Sequence, residues 1–308
     1  MSAMTDDAAG FDPAAGFVPK QAETARGEMV RQLLRSKTFI VGNLIVGFWV
    51  FCAFKGSWIA PHDPFVQYDD VLFPPQCHFD GLRPSCGTYW FGTDQLGRDV
   101  ASRVFTGASD TLRIAPLATL LGVVGGTIIG LVTGYFRGPV DEIVGRGTDA
   151  VLALPLIVIA VTALTALGSS QWTLIILIGV AFMPVVGRTV RAAVLSEREL
   201  DYIEAARLRG ERAPYIMFLE ILPNVTGPII VEGTVRLGYA IFAVAGLTFL
   251  GFGVQPPSPD WSLQISENYQ LLTGGTYYWT VLYPAAAIAS LVVGVNLIAD
   301  GLQKVLDQ

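Results

Sequence analysis

The stretch Glu204-Ala-Ala-Arg-Leu-Arg-Gly210-Glu-Arg-Ala-Pro-Tyr-Ile-Met-Phe-Leu-Glu-Ile-Leu-Pro223-Asn224 is a charged, helix-forming island between two long apolar blocks. Blocks of that kind span a membrane, so the island must meet something soluble. Composition agrees: 52% of residues are hydrophobic, 15% are charged and mean hydropathy is positive, whereas soluble domains carry about 25% charge. By length the 308 residues could form two soluble domains. The apolar residues are bunched into runs long enough to cross a bilayer, so one polytopic, all-α membrane domain is expected.

Working outward from the island, six runs of about twenty apolar residues or more match a hydrocarbon core about 30 Å thick. They lie near 38–60, 113–136, 148–168, 172–194, 226–252 and 279–299. The residues before about Gly27 are rich in Ala, Gly, Pro and Asp without apolar period, which reads as a disordered tail, and no cleavable signal pattern opens the chain. The expected organisation is a tail over 1–36, a first transmembrane helix over 37–60, an extracytoplasmic loop over 61–112, and a core over 113–308. That core holds five transmembrane helices and the loop at about 195–224.

Orientation follows from Lys and Arg, which short cytoplasmic loops retain. Lys20, Arg26, Arg31, Arg35 and Lys37 precede the first span, and Arg188, Arg191, Arg198, Arg207, Arg209 and Arg212 fall between spans four and five. The segment from Val254 to about Tyr278 has Asp260 and Glu267 but no Lys or Arg. Both termini and the island are therefore expected in the cytoplasm. Arg83, Arg98, Arg103 and Arg113 run against this rule in the first outer loop, accompanied by Asp69, Asp70, Asp80, Asp94, Asp99 and Asp110, which contribute little to orientation.

Three ordered motifs carry a family resemblance. In the island, Glu204-Ala205-Ala206, then Leu208 and Gly210, then Leu222-Pro223 resembles the EAA loop of bacterial ABC importer permeases. After span one, Trp90-Phe-Gly-Thr93-Asp94-Gln-Leu-Gly97-Arg98-Asp99 resembles the Phe-Gly-Thr-Asp, Gly-Arg-Asp signature of the dipeptide/oligopeptide (nickel) permeases. At the end of span five, Thr248-Phe-Leu-Gly-Phe-Gly-Val-Gln255-Pro256-Pro257-Ser-Pro-Asp-Trp261 resembles the signature of their C-type subunit, with Ser262 where the family often has Gly. The resemblance covers the chain from span one to Asp300-Gly301-Leu302. It implies a type I ABC importer permease fold in a bacterial inner membrane, with import of di- or oligopeptides. The partners it implies are a homologous B-type permease, two ATPase subunits or domains that bind ATP and Mg, and an extracytoplasmic binding protein.

The residues themselves set these expectations beside plainer ones. Pro214 should break the island into two short helices, the first able to couple to an ATPase. Small Ala205 and Ala206 permit close seating, Glu204 and neighbouring arginines offer salt links, and Gly210 permits a turn; the plainer reading is an amphipathic helix lying on lipid. Asp99 and Arg103 are one helical turn apart and can pair in a helix lying on the outer surface. Glu232 and Arg236 stand inside span five with i,i+4 spacing. They either neutralise each other or line a water-filled path that touches the charged ends of a peptide. Phe249 and Phe252 are further candidates for a path or gate. Gly122, Gly126, Gly130 and Gly134 form a ridge for close helix packing, within this chain or with a second subunit. Trp261, Tyr269, Tyr277, Tyr278 and Trp279 read either as an interfacial aromatic belt or as a gating or docking group. Cys77 and Cys86 can form a disulfide in an oxidising compartment, closing the loop Gln76 to Gly87. Free thiols are the alternative, and a metal site with His62 and His78 lacks the paired spacing of zinc ligands. Cys52 reads as inert packing.

Absences narrow the function. None of Lys20, Lys37, Lys55 or Lys304 follows a glycine, so the chain carries no P-loop and is not the ATPase. Hydrolase and metalloprotease motifs are missing, so neither catalysis nor a cofactor or metal in this chain is expected. Nothing points to nucleic acid. The competing class is a transporter driven by an ion gradient, which usually shows interior carboxylates and inverted repeats; a permease for nickel or another small solute is the alternative cargo.

Overall fold

The structure, a computed structural model, describes residues 31–33, 35–80 and 83–306, with side chains outside 77–86. The tail before residue 31 lies outside the described residues. The helices are α1 (Lys37–Ile59), α2 (Val100–Phe136), α3 (Pro139–Leu152), α4 (Leu156–Leu167), α5 (Gln171–Glu197), α6 (Asp201–Leu208), α7 (Thr226–Phe249), α8 (Trp261–Asn268) and α9 (Trp279–Leu306). Two four-residue strands, β1 (Cys77–Asp80) and β2 (Arg83–Cys86), pair antiparallel in the loop after α1. Their register sets Cys77 opposite Cys86; the thiols and His78 lie outside the described side chains.

α1, α2, α5, α7 and α9 are each long and apolar enough to cross a membrane. The third expected span is different: its run is divided between α3 and α4, which reach the length and apolarity of a crossing only when taken together and are bent by 84° to each other. The run at 148–168 is continuous in hydropathy, yet Pro155 lacks an N–H and pushes Leu154 out of helical geometry, so the helix stops and restarts. α4, at 12 residues, rises about 18 Å and falls short of a bilayer by itself. α2 departs in the other direction. It is 37 residues long and begins at Val100, inside the expected 61–112 loop, because Asp99 accepts the Ser102 N–H and caps it.

The α2–α5 pair forms the spine. The glycine ridge of α2 is met within this chain: Cβ atoms added to Gly126, Gly130 and Gly134 would lie 2.5, 2.6 and 2.7 Å from side-chain atoms of Val186, Val190 and Val194. Gly179 of α5 reciprocates against Leu121. With no hydrophobic drive between helices in lipid, this close approach gives dispersion contacts that larger residues would prevent. α1 runs along α9 in the same manner, with Gly42 against the Gly294 carbonyl and Gly301 against Phe39. These contacts put the start of α1, the end of α9 and the start of α7 at one end of the bundle, beside α6.

Candidate functional site

At that end, α6 is half buried and half presented. Ile203 and Ala206 are fully buried against Leu131 of α2, Val186, Val190 and Val194 of α5, and Ile216, Ile221 and Val225 of the returning chain. Burying Ile203 stabilises this seat by about 1.5–3 kcal/mol. Tyr202 locks the helix laterally: its hydroxyl donates to Glu197 Oε1 at 2.7 Å and accepts from Asn224 Nδ2 at 3.0 Å. Burial, then that bond to Glu197, pushes the Tyr202 phenol up to about 12.

The helix ends in a Schellman turn. Gly210 adopts φ +79°, its N–H donates to Arg207 O, and the Glu211 N–H reaches back to Ala206 O. The turn thus requires a left-handed residue at 210, which glycine adopts without cost. Pro214 acts at the start of the next helical turn, Ala213–Tyr215, where its missing N–H is harmless. A π-helical stretch, Ile216–Ile221, and Leu222–Asn224 follow, so Leu222 and Pro223 shape the return into α7.

The opposite face of α6 offers Glu204, Ala205, Arg207, Leu208 and Arg209 to the exterior. Leu208 is 83% exposed, the highest value among the large exposed apolar residues of the described chain. Ala205 therefore fits the expected seating face, and Ala206 does not: it belongs to the protein's own core. Arg209 pairs with Glu211 at 2.8 Å, and Glu204 forms no ion pair among the described residues.

At the far end of the bundle the two other motifs meet each other. Asp94 Oδ1 accepts from the Leu96 and Arg98 N–H groups, both at 2.9 Å, and Oδ2 accepts from Arg98 Nε at 2.7 Å. Gly97 closes this turn at φ +73°, pressed against the Tyr68 carbonyl. Arg98 then donates to Glu267 of α8 at 2.5 Å, and Arg103 lies 3.7 Å from the same carboxylate while donating to the Ser258 carbonyl at 3.1 Å. The expected Asp99–Arg103 pair does not form. Asp99 is a cap whose Oδ2 also accepts from Ser102 Oγ and faces His62 at 3.4 Å. Nor does this helix lie on the surface, since Thr93, Asp94, Arg98, Asp99 and Arg103 are all buried. Thr93 bridges the loop by accepting from the Phe73 N–H and donating to the Asp70 carbonyl.

The Gln255-Pro256-Pro257 turn leads into the same cluster. Gln255 donates to the Gly251 and Gly253 carbonyls, terminating α7. Asp260 caps α8 by accepting from Ser262 and Leu263 N–H, and burial pushes its carboxyl up to about 6. Trp261 is not a belt residue: it is fully buried, donates to the Val104 carbonyl at 2.7 Å and packs edge-on against Trp49. Gly107 makes room for it, because a Cβ there would sit 2.2 Å from the Pro259 carbonyl. Trp279 is likewise buried and donates to the Thr93 carbonyl, whereas Tyr269 and Tyr278 are exposed as a belt requires. The sequence did not show that these motifs share one buried charge cluster, although Glu267 in a loop without Lys or Arg was its one visible trace.

Between the ends, Glu232 Oε1 accepts from Arg236 Nε at 2.6 Å, as the spacing requires. Phe249 and Phe252 are not near them. Phe249 lies 13 positions along α7, a rise of about 20 Å, and contacts Tyr269. Among the described residues no cluster of metal-ligating side chains forms.

Comparison with known proteins adds an independent line. Residues 126–308 match the family described as binding-protein-dependent transport system inner membrane component, and residues 24–75 match the N-terminal TM domain of oligopeptide transport permease C. The di/tripeptide transport system permease protein DppC of Pseudomonas aeruginosa is 34% identical, covering 91% of both chains. The dipeptide transport system permease protein DppC of Alkalihalophilus pseudofirmus is 36% identical over 91% of this chain and 88% of its own. The glutathione transport system permease protein GsiD of Pectobacterium atrosepticum is 32% identical, over 94% and 92%.

Proposed function

This chain belongs to the binding-protein-dependent transport system inner membrane components, the permeases of ABC importers, and from that premise we propose that it is the C-type subunit of a peptide importer. Its cargo is di- or oligopeptides, the class named for its relatives. Its partners are a homologous permease, two ATPase subunits or domains that bind ATP and Mg, and an extracytoplasmic binding protein. The α6 end faces the cytoplasm, in keeping with the arginines gathered around it.

The observation that carries this reading is the two-faced α6. A helix whose inner face is locked by Ile203, Ala206 and Tyr202, while Leu208 protrudes among Glu204, Arg207 and Arg209, suits a rigid knob in a partner's groove. Because the inner face packs on α2 and α5, a push on α6 is delivered to the spine and moves it as a body. Glu204→Arg and Gly210→Val test this in the assembled complex. Beyond its chain neighbours, a Cβ at Gly210 meets nothing within 4 Å, so that change acts through backbone strain, about 1–2 kcal/mol for a left-handed side-chain-bearing residue and more for a β-branched one. Both variants should assemble and hydrolyse ATP while losing ATP-driven dipeptide uptake; normal uptake would refute the coupling role.

A further inference from the structure

Arg236 is a cation inside the apolar helix α7, with a side chain 18% exposed. Such a charge costs several kcal/mol against lipid and faces the bundle interior or a watery path. Its pairing is one-sided. Nε donates to Glu232 Oε1, and Glu232 Oε2 is taken by Thr189 of α5 at 3.3 Å. Neither terminal nitrogen of the guanidinium makes a hydrogen bond among the described residues, which leaves the planar fork with donors to spare. Tyr239 and Phe182 flank it, with ring centroids 4.9 and 6.0 Å away, and hold its plane.

Arg236 lines a cleft of about 440 Å³ whose other walls include Pro155, Ile157, Phe182, Tyr239 and Phe242. Pro155 and Ile157 are the start of α4, the point where the third span breaks. That N-terminus carries no side-chain cap; the Val158 N–H turns back to the Pro155 carbonyl, while those of Leu156 and Ile157 make no hydrogen bond among the described residues, and free N–H groups at a helix start attract negative charge. Two independent features thus favour an anion in a cleft that is otherwise apolar. A guanidinium fork matches a carboxylate in shape and charge.

We propose that Arg236, backed by the start of α4, is a carboxylate-binding subsite on the permeation face that takes the C-terminal carboxylate of a peptide in transit. The proposal rests on the peptide-import reading above. Glu232 orients the fork and balances its charge when the cleft is empty, so the pair is neutral until the peptide arrives.

The test is ATP-driven uptake of a dipeptide with neutral side chains, whose one carboxylate is terminal, by the complete complex in proteoliposomes, with ATP hydrolysis measured in parallel. Arg236→Gln should lower uptake about tenfold, the loss of one charge-assisted hydrogen bond, with ATP hydrolysis retained; Arg236→Lys should fall between. The double variant Glu232→Gln with Arg236→Gln buries no unpaired charge and therefore separates assembly from recognition. Uptake as low as in Arg236→Gln supports the subsite. Recovery to the wild-type rate in the double variant overturns it and leaves the ion pair as internal neutralisation. A wild-type complex that moves no dipeptide overturns the peptide reading instead, and the subsite with it.

Discussion

The two ends of this bundle put charge to opposite uses. At the α8 end, Asp94, Arg98, Asp99 and Arg103 are turned inward and bonded to one another's elements. At the α6 end, Glu204, Arg207 and Arg209 are turned outward around a bare Leu208. Both segments look alike as sequence, being short charged motifs beside apolar helices. A charged motif in a membrane protein thus marks a contact, and burial decides whether the contact is with the protein itself or with a partner.

Breaking the inward end should cost the most. Arg98→Ala removes the cation from between Asp94 and Glu267; Glu267 keeps Arg103 at 3.7 Å, but the buried Asp94 carboxylate is left without a cation, a loss of about 3–5 kcal/mol read as a lower unfolding temperature of the detergent-solubilised subunit. An unchanged unfolding temperature would show that the cluster is more hydrated than its burial indicates. Next comes Asp260, whose carboxyl titrates near 6 in the fold against 3.8 in a free chain. A raised acid pKa means that the fold holds this proton more tightly. The stabilisation is complete below about 3.8 and is lost as pH rises through 6, by roughly 3 kcal/mol at 1.36 kcal/mol per unit. Asp260→Asn keeps an acceptor for the α8 cap and should flatten the pH dependence of unfolding across that window.

A smaller effect is expected at Gly107. Its Cα faces Pro259 and Trp261, so Gly107→Ala should force the α7–α8 turn away from α2 and cost about 1–3 kcal/mol, checked by the same unfolding assay. On the outward end the stability effect should nearly vanish. Leu208→Ser changes a side chain 83% exposed and should move folding stability by less than about 0.5 kcal/mol.

Much of this was legible in the sequence because hydropathy and helical spacing are local signals. Five crossings, the Glu232–Arg236 pair and the left-handed turn at Gly210 follow from residues within a few positions of one another. What was hidden depends on distant partners. The cap at Asp99 extends α2 by more than three turns into a segment whose Asp and Arg content reads as loop, and Arg103 finds Glu267 across more than 160 positions. Ala205 and Ala206 are identical in composition yet fall on opposite faces of α6, which no motif distinguishes. Pro155 was visible inside the third apolar run, but Pro116, Pro184 and Pro284 sit inside helices that continue. Proline alone therefore does not announce the break.

If the exposed face of α6 acts through a partner and the buried cluster acts through the fold, substitutions at the two ends separate transport from stability. The most direct measurement is the number of dipeptides imported per ATP hydrolysed by the reconstituted complex carrying Leu208→Ser, beside the unfolding temperature of the same permease. The unfolding temperature should stay unchanged while that ratio falls about tenfold, the scale of one lost hot-spot contact. An unchanged temperature with a wild-type ratio would contradict the partner role of α6.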